Sequence, residues 1–156
     1  MENKMSVIIR RISESDYESV MVIWNEVLDV PVTFETLCET YSAMAEDDRY
    51  CTFIAEVDGV VAGLITAVHT IAIGHPGGYL KMNGLGVLPE YQNWGIGRML
   101  LEEVERFAIE KGAPYISLAS GIRRTDAHGF YEHLGYRKTS YWFRKDLTKR
   151  NSRSTR

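Results

Sequence analysis

The stretch Gly86-Val-Leu-Pro-Glu-Tyr-Gln-Asn-Trp-Gly-Ile-Gly-Arg98 constrains the fold of this chain more than any other. An apolar segment from Leu80 to Leu88 reads as a strand and stops at Pro89. Gly95 and Gly97 follow, and from Ile96 the apolar residues recur at helical spacing: Ile96, Leu100, Val104 and Phe107, ending at Gly112. A strand that turns through glycines into a helix lets bare backbone approach a ligand closely. The unpaired N–H groups and positive dipole end of the new helix then attract an anion. The stretch therefore points to a phosphate-bearing cofactor. It lacks the third glycine and the downstream acidic residue of a dinucleotide fingerprint, and the Gly-Lys-Ser/Thr of a Walker loop.

Other segments read in alternating order. Val7 to Ile12 is a first strand. A helix capped at Ser13 or Ser15 runs from Asp16, with Val20, Ile23, Trp24, Val27 and Leu28 on one face. Past Pro31, Thr33 starts a second helix reaching about Asp47, with Glu35 in its first turn. Thr52–Val57, the Asp58-Gly59 turn and Val60 to Ile71 form a predicted hairpin of type I′. A loop over Gly74–Gly78 leads to the motif strand. Tyr115–Leu118 is a short strand, residues 125–134 a helix, and two late strands are expected near 136–138 and 140–146. The order implies an α/β fold with a central mixed sheet.

The length of 156 residues fits one domain, set at 1–147, with a basic tail at 148–156 that is polar enough to be flexible. No apolar run approaches a membrane span and the start lacks a leader pattern, so a cytoplasmic protein with no membrane partner is expected. Cys38 and Cys51 have no metal-type spacing and read as ordinary thiols, so no metal is expected. Twelve acidic residues fall between Glu14 and Asp58 against the single base Arg49, while six Lys or Arg lie in the last thirteen residues. Such blocks are usually solvated faces, and the functional alternative is an acidic half that attracts a cationic acceptor. The tail has no interleaved aromatics, which argues against nucleic-acid binding.

Gln92-Asn-Trp-Gly-Ile-Gly97 resembles the acyl-CoA pyrophosphate loop of the GNAT N-acetyltransferases, and a second block, Asp126-Ala-His-Gly-Phe-Tyr131 followed by Gly135-Tyr136, stands where that family places it. The resemblance spans nearly the whole chain. It implies a fourth and fifth strand that splay apart, with acetyl-CoA as co-substrate in the opening. It further implies main-chain contacts to the cofactor at Leu85, Gly86 and Val87, and N–H groups from Gln92, Asn93, Trp94, Gly95, Ile96 and Gly97 on the pyrophosphate, with Arg98 adding charge. Tyr131 is implied as the catalytic acid that protonates the departing thiolate, with His128 on the same helix face. A phenol near pKa 10 keeps its proton at pH 7 and is matched to a sulfur of about 8–9.

Several family members place a glutamate base just before the Leu-x-Val triplet; here that position is Gly84. Glu35, His69, His75 and Tyr79 remain as candidates for the base. The segment Leu118 to Tyr131, with Arg124 preceding Thr125-Asp126, resembles a branch that includes aminoalkylphosphonate N-acetyltransferase and small-molecule relatives. The acidic stretch 14–58 does not favour a phosphonate acceptor. The expected activity is acetyl transfer to a primary amine of a small cationic molecule, by direct attack in a ternary complex. The alternatives are a protein or peptide amine as acceptor, or a non-catalytic acyl-CoA-binding module. Family members often dimerise through the late strands, and Tyr141-Trp142-Phe143 is the run that would sit at such a contact.

Overall fold

The computed structural model describes residues 5–148, which leaves nearly all of the expected basic tail outside the described residues. By contacts the chain falls into two compact units, one up to Leu118 and one from Ala119.

The first unit is a five-stranded sheet in sequential order: β1 (Val7–Arg11), β2 (Tyr50–Val57), β3 (Val60–Ala72), β4 (His75–Val87) and β5 (Ile116–Leu118). β1 through β4 are antiparallel. β5 joins β4 in parallel over Leu80–Met82, paired with Ile116–Leu118. β4 continues for five residues beyond that pairing, because β5 ends at Leu118. The Asp58-Gly59 turn has positive φ at both residues, 48° and 83°, as a type I′ hairpin demands.

Two helical layers cover the sheet. On one face lie α1 (Tyr17–Val22), a π-helical turn (Ile23–Val27) and α2 (Phe34–Ala45). Thr33 caps α2 by accepting the Thr36 N–H at 3.2 Å. Val20, Ile23, Leu37, Tyr41, Ile54, Val61 and Leu64 form the core on this side. On the other face lies α3 (Ile96–Glu110), whose Ile96, Leu100, Leu101, Val104 and Phe107 are buried. The 100° periodicity read from the sequence is the physical cause, because it gives one long apolar stripe to lay on the sheet.

An ion network ties β1 to the start of the first helical layer. The Arg10 guanidinium donates to both Asp16 oxygens at 2.7 and 2.8 Å and to Glu56 at 2.9 Å. The buried Asp16 carboxylate also accepts the Ser13 N–H at 2.8 Å. Four of the twelve acidic residues in 14–58 (Asp16, Asp47, Asp48 and Glu56) are thus engaged in ion pairs among the described residues.

Two expectations are corrected. Residues 75–78 are strand rather than loop: Ala72 pairs with His75 and the hairpin turns at Ile73-Gly74. The glycines there serve close approach, since a Cβ on Gly77 would lie 2.4 Å from the Gly112 carbonyl and one on Gly78 would lie 2.2 Å from that of Thr70. The second correction concerns the late strands near 136–138 and 140–146, which do not form among the described residues. The second unit carries α4 (Thr125–His133) and then irregular backbone. Tyr141 and Phe143 are 89% and 90% exposed. Aromatic content favours a strand only where a neighbouring strand and a buried face receive it, and this segment has neither here.

Candidate active site

β4 ends in an open edge. The Leu88 N–H reaches across to β3 and donates to the Ala62 carbonyl at 2.8 Å. Main-chain groups alternate along an antiparallel strand. Gly86 therefore also points to β3, and the N–H and C=O of Leu85 and Val87 point to the opposite edge, where β5 has ended at Leu118. These are two of the positions the sequence marked.

Beyond β4 a 3₁₀ turn (Pro89–Tyr91) leads into the glycine loop. Asn93 and Gly95 both take left-handed backbone, φ 68° and 79°. Alternating left- and right-handed residues curl successive N–H groups into a concave nest for an anion. The N–H groups from Asn93 to Arg98 lie at the entry of α3, where a helix leaves its first donors without intrahelical acceptors, whereas Tyr91, Gln92 and Met99 use theirs within the turn and helix. This donor set fits a diphosphate. One expected contributor drops out: the Gln92 N–H faces the Pro89 carbonyl at 3.3 Å. Its side chain does other work, with Nε2 donating to the Val87 carbonyl at 3.1 Å. Trp94 packs edge-on against Tyr91. Arg98 pairs with Glu102 one turn along α3 at 3.0 Å, an exposed pair of a few tenths of a kcal/mol that a phosphate can displace.

Sequence reasoning missed how β4 is walled on its other side. Thr66 pairs with Gly84 but Ala67 pairs with Met82, so Asn83 is an extra, bulged and exposed residue. A Cβ on Gly84 would meet the Trp24 indole at 2.6 Å, and one on Gly86 would meet Ile23 at 2.8 Å. The π-helical turn is thereby pressed onto β4. Trp24 is backed by the core, where it packs against the cluster that contains the buried Tyr41, and Thr52 is bonded to Thr66 at 2.9 Å. The available signal was glycine inside a strand, which marks close approach of another group.

The remaining base candidates lie elsewhere. His69 Nε2 is bonded to the Gly77 carbonyl at 2.8 Å, and His75 Nδ1 to the Tyr115 hydroxyl at 2.8 Å, with Tyr79 stacked on Tyr115. Tyr79 precedes Leu85 by six residues of strand, about 20 Å at about 3.3 Å per residue. Glu35 is exposed in the first turn of α2.

In the second unit, Tyr131 is half-buried on α4, edge-on to Phe130 and Tyr136. Burial pushes its phenol above the usual value, with Arg124 acting in the opposite direction. Such a group holds its proton at neutral pH and can donate it. His128 is bonded through Nε2 to the Gly121 carbonyl at 2.8 Å. Cys51 is buried and its thiol is pushed up to about 12, which leaves it inert as a nucleophile. No group of three or more His, Cys, Asp or Glu that could hold a metal occurs among the described residues.

Comparison with known proteins agrees with this geometry. The profile described as "Acetyltransferase (GNAT) family" matches residues 13–136. The chain is 30% identical over 121 residues to uncharacterized N-acetyltransferase YhdJ of Bacillus subtilis (strain 168), covering 77% of this chain and 84% of that protein. It is 28% identical over 139 residues to aminoalkylphosphonate N-acetyltransferase of Salmonella typhimurium (strain LT2), covering 89% and 90%. Among solved structures, aminoglycoside N-acetyltransferase AAC(6')-Iy in complex with CoA matches with a TM-score of 0.83 over 95% of this chain and 99% of that one. Its 19% identity makes the likeness one of fold.

Proposed function

The chain belongs to the GNAT acetyltransferase family and is an acetyl-CoA-dependent N-acetyltransferase; on that premise we propose that it acetylates a primary amine of a small cationic molecule by direct attack in a ternary complex. The observation that carries this reading is the row of N–H groups at the entry of α3, Asn93 to Arg98, beside the edge of β4 that β5 leaves unpaired.

In this reading the loop N–H groups from Asn93 through Gly97 hold the pyrophosphate, with Arg98 adding charge. The outward main chain of Leu85 and Val87 pairs with the pantetheine amides as an added strand would, with Gly86 between them giving close approach. A β4 N–H at this edge polarises the thioester carbonyl. Tyr131 protonates the sulfur that leaves. A direct attack needs the amine in its neutral form, and with glycine at position 84 the proton passes to solvent rather than to a carboxylate on β4. The inert Cys51 favours direct attack over an acyl-enzyme.

The names of the relatives set the acceptor panel: aminoalkylphosphonates, aminoglycosides, polyamines and amino acids. The acidic residues of 14–58 outside ion pairs favour the cationic members. We also place the protein in the cytoplasm, without nucleic-acid or membrane partners, as a homodimer through the exposed Tyr141-Trp142-Phe143 segment. No helix among the described residues is long and apolar enough to cross a membrane. The test is free-thiol release from acetyl-CoA across the amine panel, wild type beside Tyr131→Phe. Release that depends on a particular amine and collapses in the variant supports the reading, whereas amine-independent release would sink it.

A further inference from the structure

Gly84 and Gly86 leave β4 without side chains on the face covered by the first helical layer, so that layer supplies the wall beside the open edge. Three residues do so: Ile23, Leu28 and Trp24. Ile23 is fully buried, while Trp24 is half-buried and is the aromatic member. Its indole edge lies where a side chain at Gly84 would stand, next to the exposed bulge residue Asn83 and one residue from the outward main chain of Leu85.

The position of that indole is over-determined. The π-helical turn is closed by the Leu28 N–H on the Ile23 carbonyl at 3.0 Å, and the Trp24 carbonyl accepts the Val30 N–H at 2.9 Å. Asn25 grips Val32 through both amide atoms, accepting at 2.7 Å and donating at 3.2 Å, which pins the loop that follows. From behind, the indole packs against the core cluster that contains Tyr41, while Thr52 is bonded to Thr66, the partner of Gly84, at 2.9 Å. A π turn inside a helix widens it locally and re-aims side chains, and such turns recur at functional sites.

We propose that Trp24 is the acceptor-recognition residue: its indole, seated over Gly84, receives the cationic amine and takes the place a carboxylate on β4 would hold. An ammonium over an indole face is attracted by the ring quadrupole, and among side chains indole does this best. The acceptor approaches as a cation against Trp24 and loses its proton to solvent before attack. This inference rests on the acetyltransferase reading and names the side chain that selects its amine.

The experiment compares wild type with Trp24→Phe and Trp24→Ala, using the best amine of the panel. KM is measured separately for the amine and for acetyl-CoA, and tryptophan emission is followed as the amine is added. Trp24→Ala is expected to raise the amine KM about tenfold, with the acetyl-CoA KM within about twofold, and Trp24→Phe to recover most of that loss. The amine should shift emission in wild type and not in Trp24→Phe, which retains Trp94 and Trp142. An amine KM unchanged in Trp24→Ala, or saturating turnover with no emission change in wild type, overturns the inference while leaving the acetyltransferase reading intact. Should Trp24→Ala not fold, the emission comparison with Trp24→Phe decides alone. Wild type that turns over no amine in the panel removes the small-amine reading and this inference with it.

Discussion

The Gln92 side-chain amide donates to the Val87 carbonyl at 3.1 Å and so fastens the glycine loop to the last residue of β4. The two parts of the proposed cofactor site, loop N–H groups and strand edge, are held in register by one exposed hydrogen bond.

Gln92→Ala removes that fastening and leaves the backbone intact. A hydrogen bond of about 1 kcal/mol corresponds to roughly a fivefold weakening. The acetyl-CoA KM should rise by about that factor with kcat little changed, measured by thiol release at saturating amine. An unchanged KM would show that the loop holds its register without the bond.

The loop uses main chain, so side-chain bulk at its helix entry matters more than side-chain identity. Gly97→Val is expected to weaken acetyl-CoA binding at least tenfold, because a β-branched side chain crowds the first-turn N–H groups. Asn93→Gly keeps the left-handed backbone at φ 68° and should weaken it less than twofold. Calorimetric titration with CoA separates the two, and equal losses would contradict a backbone cradle.

Tyr131→Phe tests the acid. General acid catalysis is worth about 10²–10⁴-fold, so kcat should fall by at least about a hundredfold while CoA affinity stays within about twofold. Burial raises the Tyr131 pKa, so its proton is held through neutral and mildly alkaline pH. An alkaline limb belonging to this group should therefore appear only above about pH 10 and vanish in the variant. Below that pH, kcat/KM should climb with unit slope towards the pKa of the acceptor amine, since glycine stands at position 84. A plateau set well below the amine pKa would reveal a protein base.

Asp16→Asn should destabilise the fold by about 1.5–3 kcal/mol, read from denaturant midpoints at pH 7. The Arg10 guanidinium, then the Ser13 N–H, hold this carboxyl below its usual value against the opposing effect of burial. A depressed folded pKa means the contribution is complete above the unfolded pKa of about 3.9 and fades as pH falls through the lower folded value. The gap between wild type and Asp16→Asn should accordingly narrow below about pH 4.

The sequence by itself determined what depends on near neighbours in the chain. The α3 stripe from Ile96 to Phe107, the Asp58-Gly59 turn, the Thr33 cap and the strand-loop-helix order around Gly95 are set by periodicity and local backbone preference, and all stand in the structure. Tertiary structure decided what depends on residues far apart. Nothing local tells that Trp24 fills the space above Gly84, that Asn83 bulges against Thr66, or which edge Leu85 and Val87 present, because each follows from the packing of one element on another. The same reason explains why Tyr141 to Phe143 read as a strand and are not one here: a strand is made by its partner, and its own residues supply just half of the hydrogen bonds.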